Sequence, residues 1–513
     1  MKLPRLLTIT ILFFFSILIV LPLLYILSWV PLYDFDIISI FESRHIGLIK
    51  KSLILAFGTT FFSLLLGVPS AFLIFQASSK IKKICMVFCL IPILIPSYIH
   101  AIVWNQVENL LGNYIPYINF HSLEGAIFIL TLSYFSFIVL ITLSGLQMID
   151  RNLVEVALLS YDKFITLLYI VIPLLLPHIF AGATFVFVFS IIDFGVPDML
   201  RLNVYPIEIF IQFSAFYNEK AAIILSLPII LLTIFIITIQ KIYMKDRSYI
   251  HFFGGIQNNS PIFFVKPYCL IIVIPIFFLS SVLPIIMLII NAGNFSNYMI
   301  AWSSSKIQIY YSMFISAVSA TCIVIFSFFL ADWIERSSYK IKNTINIISM
   351  IPLAIPATTV GICMIKLWNQ PVIDIVYSNS LIIILGYIVR FIPFGVIIIT
   401  SGLKNISKNL EESAQLINSS CFYVLHNITI PLLKPFLIIV FFIIFILSFG
   451  ELGTTVLIMP PGRETIPIKI FNLIHYGAYE IVSALCLIFI LIILGMSVFL
   501  FFVLKVFKVK IND

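Results

Sequence analysis

The sequence predicts an all-α integral membrane protein with about twelve spanning helices arranged as two parallel six-helix repeats. Three observations carry that expectation. The composition is too apolar for water, apolar stretches of spanning length recur along the chain, and proline and acidic landmarks reappear in order at a nearly constant spacing.

Of 513 residues, 62% are hydrophobic and 10% charged, against roughly 25% charged and about 45–50% apolar in a soluble domain. Such a chain could not cover its own surface with polar groups. The net charge of +8 does not mark a nucleic-acid binder. The basic residues sit in short runs between apolar stretches, as in Lys80-Ile81-Lys82-Lys83, which is the pattern of the positive-inside rule. The 7 cysteines are scattered and give no disulfide framework. Cys85 and Cys89, one helical turn apart, read as two small apolar residues on one helix face, and no metal site is assigned.

Lys2 and Arg5 precede an apolar run from Leu7 to Val30, too long for a signal-peptide core and without a small-residue cleavage site. It reads as an uncleaved first span. The remaining stretches of roughly 20 apolar residues begin near Ser52, Ile84, Leu123, Thr166, Ala221, Tyr268, Ile309, Thr344, Ser380, Ile428 and Val482. Pro173, Pro177, Pro431 and Pro435 lie near the starts of the fifth and eleventh. With the N-terminus inside, the inner segments hold Lys80, Lys82, Lys83, Arg151, Lys163, Lys241, Arg336, Lys342, Lys404, Lys408, Lys505 and others, and the outer segments fewer basic residues. Both termini are therefore expected in the cytoplasm. The polar stretch from Lys241 to Pro267 reads as a cytoplasmic linker. It divides the chain into a first half (1–240, core about 48–240), a linker (241–267) and a second half (268–513, core about 308–503).

Internal repetition sets the architecture. Ile91-Pro92-Ile93-Leu94-Ile95-Pro96 matches Ile351-Pro352-Leu353-Ala354-Ile355-Pro356, 260 residues on. Pro173 with Pro177 matches Pro431 with Pro435, and Asp193-Phe194-Gly195 matches Glu451-Leu452-Gly453, both at 258. Tyr205-Pro206-Ile207 matches Ile466-Pro467-Ile468 at 261. Six spans per half is an even number, so both halves enter the bilayer from one side, and a pathway on the pseudo-axis between them is the natural inference.

One inner loop of each half has an unusual make-up. The first runs Asn152-Leu153-Val154-Glu155-Val156-Ala157 to Pro173, the second Asn409-Leu410-Glu411-Glu412-Ser413-Ala414 to Pro431. In each, an acidic residue favours a helix N-terminus. A short amphipathic stretch, a polar break and a second apolar stretch follow. This describes a surface helix, a turn and re-entry into the bilayer, an element another protein can grip.

On these residues the chain resembles the permeases of binding-protein-dependent ATP-binding-cassette importers (type I), whose inner loop reads E-A-A, three residues, G, then about a dozen residues to a proline. Glu412, Ala414 and Pro431 fall on that pattern. Glu155, Ala157 and Pro173 do so with one residue fewer. Neither half has the glycine: Asn418 stands in its place in the second, and Tyr161-Asp162 covers it in the first. Finer segments, Ser448-Phe449-Gly450-Glu451-Leu452-Gly453-Thr454-Thr455 and Asp193-Phe194-Gly195-Val196-Pro197, are similar to the fused permeases of ferric-iron importers. The resemblance implies that the two loops are coupling helices docking on two copies of a cytoplasmic ATP-binding subunit. It also implies a periplasmic solute-binding protein that delivers cargo, and an inner-membrane location. Fused permeases for thiamine, phosphonates and polyamines share this architecture.

Asp193 and Glu451, with Gly195 and Gly453, stand at matching places near the outer ends of the fifth and eleventh spans. An ionised residue at mid-bilayer costs about 2.5–3.5 kcal/mol on insertion scales and so faces a cavity or a partner. Two readings stay open: carboxylates flanking the pathway as hard oxygen ligands for a ferric species, or caps that hold an outer gate. Lys366 reads as snorkelling to the outer interface, and Arg390 as deep in its helix with an acidic partner the sequence does not identify. His100, His178, His426 and His475 share no metal-ligand spacing and read as packing or interfacial residues. There is no G-x-x-x-x-G-K-[ST] loop, no H-E-x-x-H and no G-x-S-x-G. The chain is therefore expected not to be an enzyme, with ATP and magnesium bound on a partner. The competing class, an ion-coupled secondary transporter, gives no role to the paired acidic loops.

Overall fold

The computed structural model describes residues 42–112, 119–244, 271–417 and 420–506, with a few isolated positions between 13 and 25. Almost all of the expected first span and of the linker, and Asn418, lie outside the described residues. Among those described, nine helices are long and apolar enough to cross a bilayer, and two bent helix pairs bring the number of spans to as many as 11.

In the first half, α1 (Ser43–Phe75) is followed by the bent pair α2 (Ser79–Leu94) and α3 (Ser97–Leu111), then by α4 (Leu123–Met148). A surface helix, α5 (Arg151–Ser160), leads into the span α6 (Lys163–Ile191). Two short helices, α7 (Gly195–Met199) and α8 (Tyr205–Ser214), precede the span α9 (Glu219–Met244). The second half opens with the span α10 (Val273–Ala292), at the repeat position of the expected first span, and then follows the series described for the first half. It has α11 (Phe295–Arg336), α12 (Tyr339–Met350), α13 (Ala357–Trp368), α14 (Leu381–Lys404) and the surface helix α15 (Lys408–Ile417). The span α16 (Phe422–Phe449), α17 (Thr455–Ile458), α18 (Ile466–His475) and α19 (Tyr479–Val506) complete it.

The stretches expected to cross as single helices from Ile84 and Thr344 do not. The chain turns by 93° between α2 and α3, and by 104° at the equivalent place before α13. Proline is the cause. It disfavours the helical conformation of the residue before it. Ile95, before Pro96, is extended at φ −91°, ψ 117°, and Ile355, before Pro356, at φ −94°, ψ 129°. The other proline pair acts differently. Pro173 and Pro431 do not open their spans; each follows one wide π turn, Leu167–Val171 and Leu425–Thr429. A proline lacks the N–H for the regular i→i−4 bond and crowds that carbonyl, and a widened turn accommodates both.

The repeat extends to single hydrogen bonds. The hydroxyl of Ser52 accepts from the Tyr205 amide at 2.9 Å, and that of Ser312 from the Ile466 amide at 2.7 Å. Positive φ recurs as well: 55° at Arg201 and 52° at Tyr217 in the first half, 73° at Gly462 and 78° at Gly477 in the second.

The halves interlock. Asn291 on α10 donates to Gln106 on α3 at 2.7 Å, and Gln106 donates to Ser483 on α19 at 2.9 Å. Thr233 on α9 donates to the Ala354 carbonyl at the second bend, 2.8 Å away. Lys366 does not simply snorkel: it forms an ion pair with Glu219 across the two halves. Phe57, Phe61 and Leu65 form an exposed stripe along α1, spaced four apart as one helix face requires, while the small residues Ala56, Thr59, Ser63 and Ser70 turn inward. Exposed phenyl groups on a helix of this length fit contact with lipid.

Candidate functional site

Two groups of residues stand at opposite ends of α6 and α16. A helix of α6's length measures roughly 43 Å, so the groups are separated by most of a bilayer.

The first group is the pair of surface helices. On α5, Val154 and Ala157 are buried, while Leu153, Val156 and Leu159 are exposed at 55%, 65% and 86%. On α15, Ala414 is buried and Leu410 and Leu416 are exposed at 53% and 89%. The alanine of each loop motif is thus the small side chain that lets its helix lie close to the bundle, and the leucines point away from it. Glu155 is not in the first turn of α5. It pairs instead with Arg151, and the helix start is capped by Asp150, which accepts from the Asn152 amide at 2.9 Å. Asp162 caps the start of α6 by accepting from the Ile165 amide at 2.8 Å. On α15, Glu411 does occupy the first turn, and Glu412 is exposed beside it.

The two surface helices are anchored by different chemistry. Glu411 receives both terminal nitrogens of Arg336 at 2.8 and 2.9 Å and the Thr429 hydroxyl at 3.2 Å. The Arg336 Nε donates to Asp332 at 2.6 Å, and Asp332 is 1% exposed. Lys342 pairs with Glu335 at 2.7 Å. At the repeat positions of the first half stand Phe72, Phe75, Gln76 and Lys82. There the Lys82 ammonium lies 5.0 Å from the Phe75 ring centre in place of an ion pair. Sequence reasoning missed Arg336 as a partner because only the fold brings it to α15.

The second group lies where the bent spans meet the ends of α6 and α16. Asp193 accepts from the Ser97 hydroxyl at 2.8 Å, the Tyr134 hydroxyl at 2.8 Å and the Val196 amide at 2.9 Å. Glu451 accepts from the Thr454 amide at 2.8 Å, and its other oxygen lies 2.9 Å from the Arg390 Nε. The acid opposite Arg390 is therefore Glu451. Glycines let these segments touch, across the halves at Gly450 and within a half at Gly453 and Gly195. A Cβ on Gly450 would stand 2.8 Å from Pro96, and one on Gly453 would stand 2.7 Å from the Ala357 Cβ. Gly195 packs in the same way against Tyr98.

One turn along α14 from Arg390, Phe394 meets Phe185 and Phe189 of the first half at 6.3 and 6.2 Å between ring centres. Phe137 lies 4.6 Å from Phe185. A phenyl layer thus crosses the boundary between the halves one turn from the ionic groups. Among the described residues no three His, Cys, Asp or Glu side chains are grouped to hold a metal. His100 and His178 are buried, and His475 lies near the Phe471 carbonyl at 2.7 Å.

Residues 63–248 and 323–511 each match the model of the binding-protein-dependent transport system inner membrane component. The chain is 23% identical over 480 residues, 90% of either chain, to the Fe(3+)-transport system permease protein FbpB 2 of Haemophilus influenzae. It is 28% identical over 177 residues to the putative 2-aminoethylphosphonate transport system permease protein PhnV of Salmonella paratyphi A, covering 34% of this chain and 66% of that one. It is 24% identical over 230 residues to the spermidine/putrescine transport system permease protein PotC of Escherichia coli, covering 42% and 86%.

Proposed function

The chain belongs to the family of inner membrane components of binding-protein-dependent transport systems, with that domain present twice, and from this premise we propose that it is the whole translocation channel of a ferric-iron importer. As a fused permease of the type I ATP-binding-cassette class it is a multi-pass inner-membrane transport subunit, and the motor is a separate chain. In the proposed assembly α5 and α15 each dock on one of two ATP-binding subunits through their exposed leucines, with Glu155 and Glu412 beside them. A solute-binding protein delivers cargo at the opposite face, and both termini are cytoplasmic. ATP-driven closure of the motor pulls the surface helices together, and rotation of α6 and α16 parts the layer held by Asp193 and Glu451 at their far ends.

The observation that carries the channel reading is the repeat itself: matched surface helices at one end and matched bends meeting glycines at the other. Both are needed for a motor on one side to open a constriction deeper in the bilayer. Iron is favoured by the relative that spans both halves, which is named for Fe(3+) transport. We favour the gate reading over pathway ligands, and what supports it is that all four carboxylate oxygens of Asp193 and Glu451 already accept hydrogen bonds or an ion pair.

The test is reconstitution with the ATPase and binding protein, reading uptake of radioactive ferric iron. Uptake is expected only with hydrolysable ATP, and cysteines at Glu155 and Glu412 are expected to label from the ATPase side alone. Labelling from opposite faces, or uptake without hydrolysis, defeats the channel reading. ATP-driven uptake of another solute with none of iron defeats the iron assignment.

A further inference from the structure

The layer around Arg390 has an imbalance that its gate role does not use. Each carboxylate oxygen is engaged: Asp193 Oδ1 by the Val196 amide, Oδ2 by Ser97 and Tyr134, Glu451 Oε1 by the Thr454 amide and Oε2 by Arg390. The groups left over include donors. Arg390 commits its Nε to Glu451, and no hydrogen bond of its two terminal nitrogens is found among the described residues. Its side chain keeps 19% exposure while Glu451 keeps 7%. The Tyr98 hydroxyl, from the other half, is buried without a hydrogen-bond partner, and the Tyr98 side chain packs against Gly195, two residues beyond Asp193. The helices α3 and α13 both begin at this level, after the two bends, and helix starts carry partial positive charge.

We propose that Arg390, with the Tyr98 hydroxyl, is a contact for an oxyanion on the cargo as it passes the constriction. A guanidinium presents its terminal N–H groups as a planar fork that matches carboxylate, phosphate or phosphonate, and in a layer sealed by phenyl rings that match is not diluted by water. This deepens the reading given above and rests on it. Iron crosses here still wrapped in oxyanion ligands rather than as a bare cation, which finds no open carboxylate in this layer. A polyamine, all ammonium, finds every carboxylate oxygen of the layer already engaged and the Arg390 charge set among them. An organophosphonate presents the same chemistry as a ferric carboxylate complex, and the two are separated by the test.

The experiment uses the purified full chain in nanodiscs and follows its thermal midpoint with citrate, ferric citrate, 2-aminoethylphosphonate or putrescine at constant ionic strength. The oxyanions are expected to raise the midpoint by several degrees and putrescine not at all. The variant R390M/E451Q removes both members of the pair together, so no buried charge is stranded, and is expected to lose the oxyanion shift. R390K, a point charge without the fork, keeps a smaller one. In the reconstituted importer R390M/E451Q is expected to lower cargo uptake at least tenfold. If Arg390 only neutralises Glu451, the double variant keeps both the shift and wild-type uptake, and the proposal falls. It falls equally if putrescine stabilises as well as the oxyanions, or if none of them does. A shift with 2-aminoethylphosphonate but none with ferric citrate leaves the oxyanion contact standing and removes iron. Wild-type ferric uptake in R390M/E451Q does the reverse.

Discussion

Arg336 shows how one side chain can fix the behaviour of a surface helix. It joins Asp332 on its own span to Glu411 on α15, so removing it strands a carboxylate that is 1% exposed. Breaking a buried pair from one side costs about 3–5 kcal/mol. Arg336→Met is therefore expected to release α15, read as faster amide exchange over residues 408–417. The variant R336M/D332N/E411Q, which leaves no unpaired charge, recovers most of that loss. Burial alone would push the Glu411 carboxyl up, but the hydrogen bonds and charge of Arg336 outweigh it and hold the group below its ordinary value. Because the folded-state value is the lower one, the latch is at full strength above the ordinary carboxylate range. It is lost as pH falls through the depressed value. Exchange over α15 should step up in that acidic window. An equal step over α5, which has no such latch, contradicts this account.

At the level of elements, the bends and the glycines facing them form one device. Gly450 lets Pro96 of the other half approach, and a valine there would overpack the contact, at a cost of about 1–3 kcal/mol. Gly450→Val is expected to hold the constriction ajar and raise passive solute leak from proteoliposomes, with ATP-driven uptake falling several-fold. A tight, unchanged vesicle population would show that the contact does not seal the path. The spans themselves were legible in the sequence because spanning length and apolar content are local properties. The 93° and 104° bends were not, although the proline pairs that cause them stand out in the sequence: a proline interrupts helical bonding, but the angle is set by what packs on either side. The partners of Asp193 and Glu451 were hidden for a related reason. Ser97, Tyr134 and Arg390 lie between 59 and 96 residues away in the chain, and only folding makes them neighbours. Short helices do stand at both loop motifs, yet Glu155 lies beyond the first turn of α5, whose start is capped by Asp150.

Across the whole molecule, two copies of one plan have diverged in their chemistry while keeping their backbone. The first half seats its surface helix on apolar packing and a lysine over a ring; the second uses an ionic cluster. High salt or acid is therefore expected to weaken the second attachment before the first. The same divergence reaches the turns that follow the short helices α7, α8, α17 and α18. Where the second half places Gly462 and Gly477 at positive φ, the first holds Arg201 and Tyr217 in the same left-handed backbone, which costs an L residue about 1–2 kcal/mol. Trading the side chain for hydrogen returns part of that to the looser unfolded chain, about 0.4–1 kcal/mol. One exchange thus has opposite signs in the two copies: Tyr217→Gly should leave the protein as stable or slightly more so, and Gly477→Tyr should destabilise it, with melting midpoints as the readout. The left-handed backbone is thus shared by both copies whatever side chain it carries, and its strain can be relieved one turn at a time.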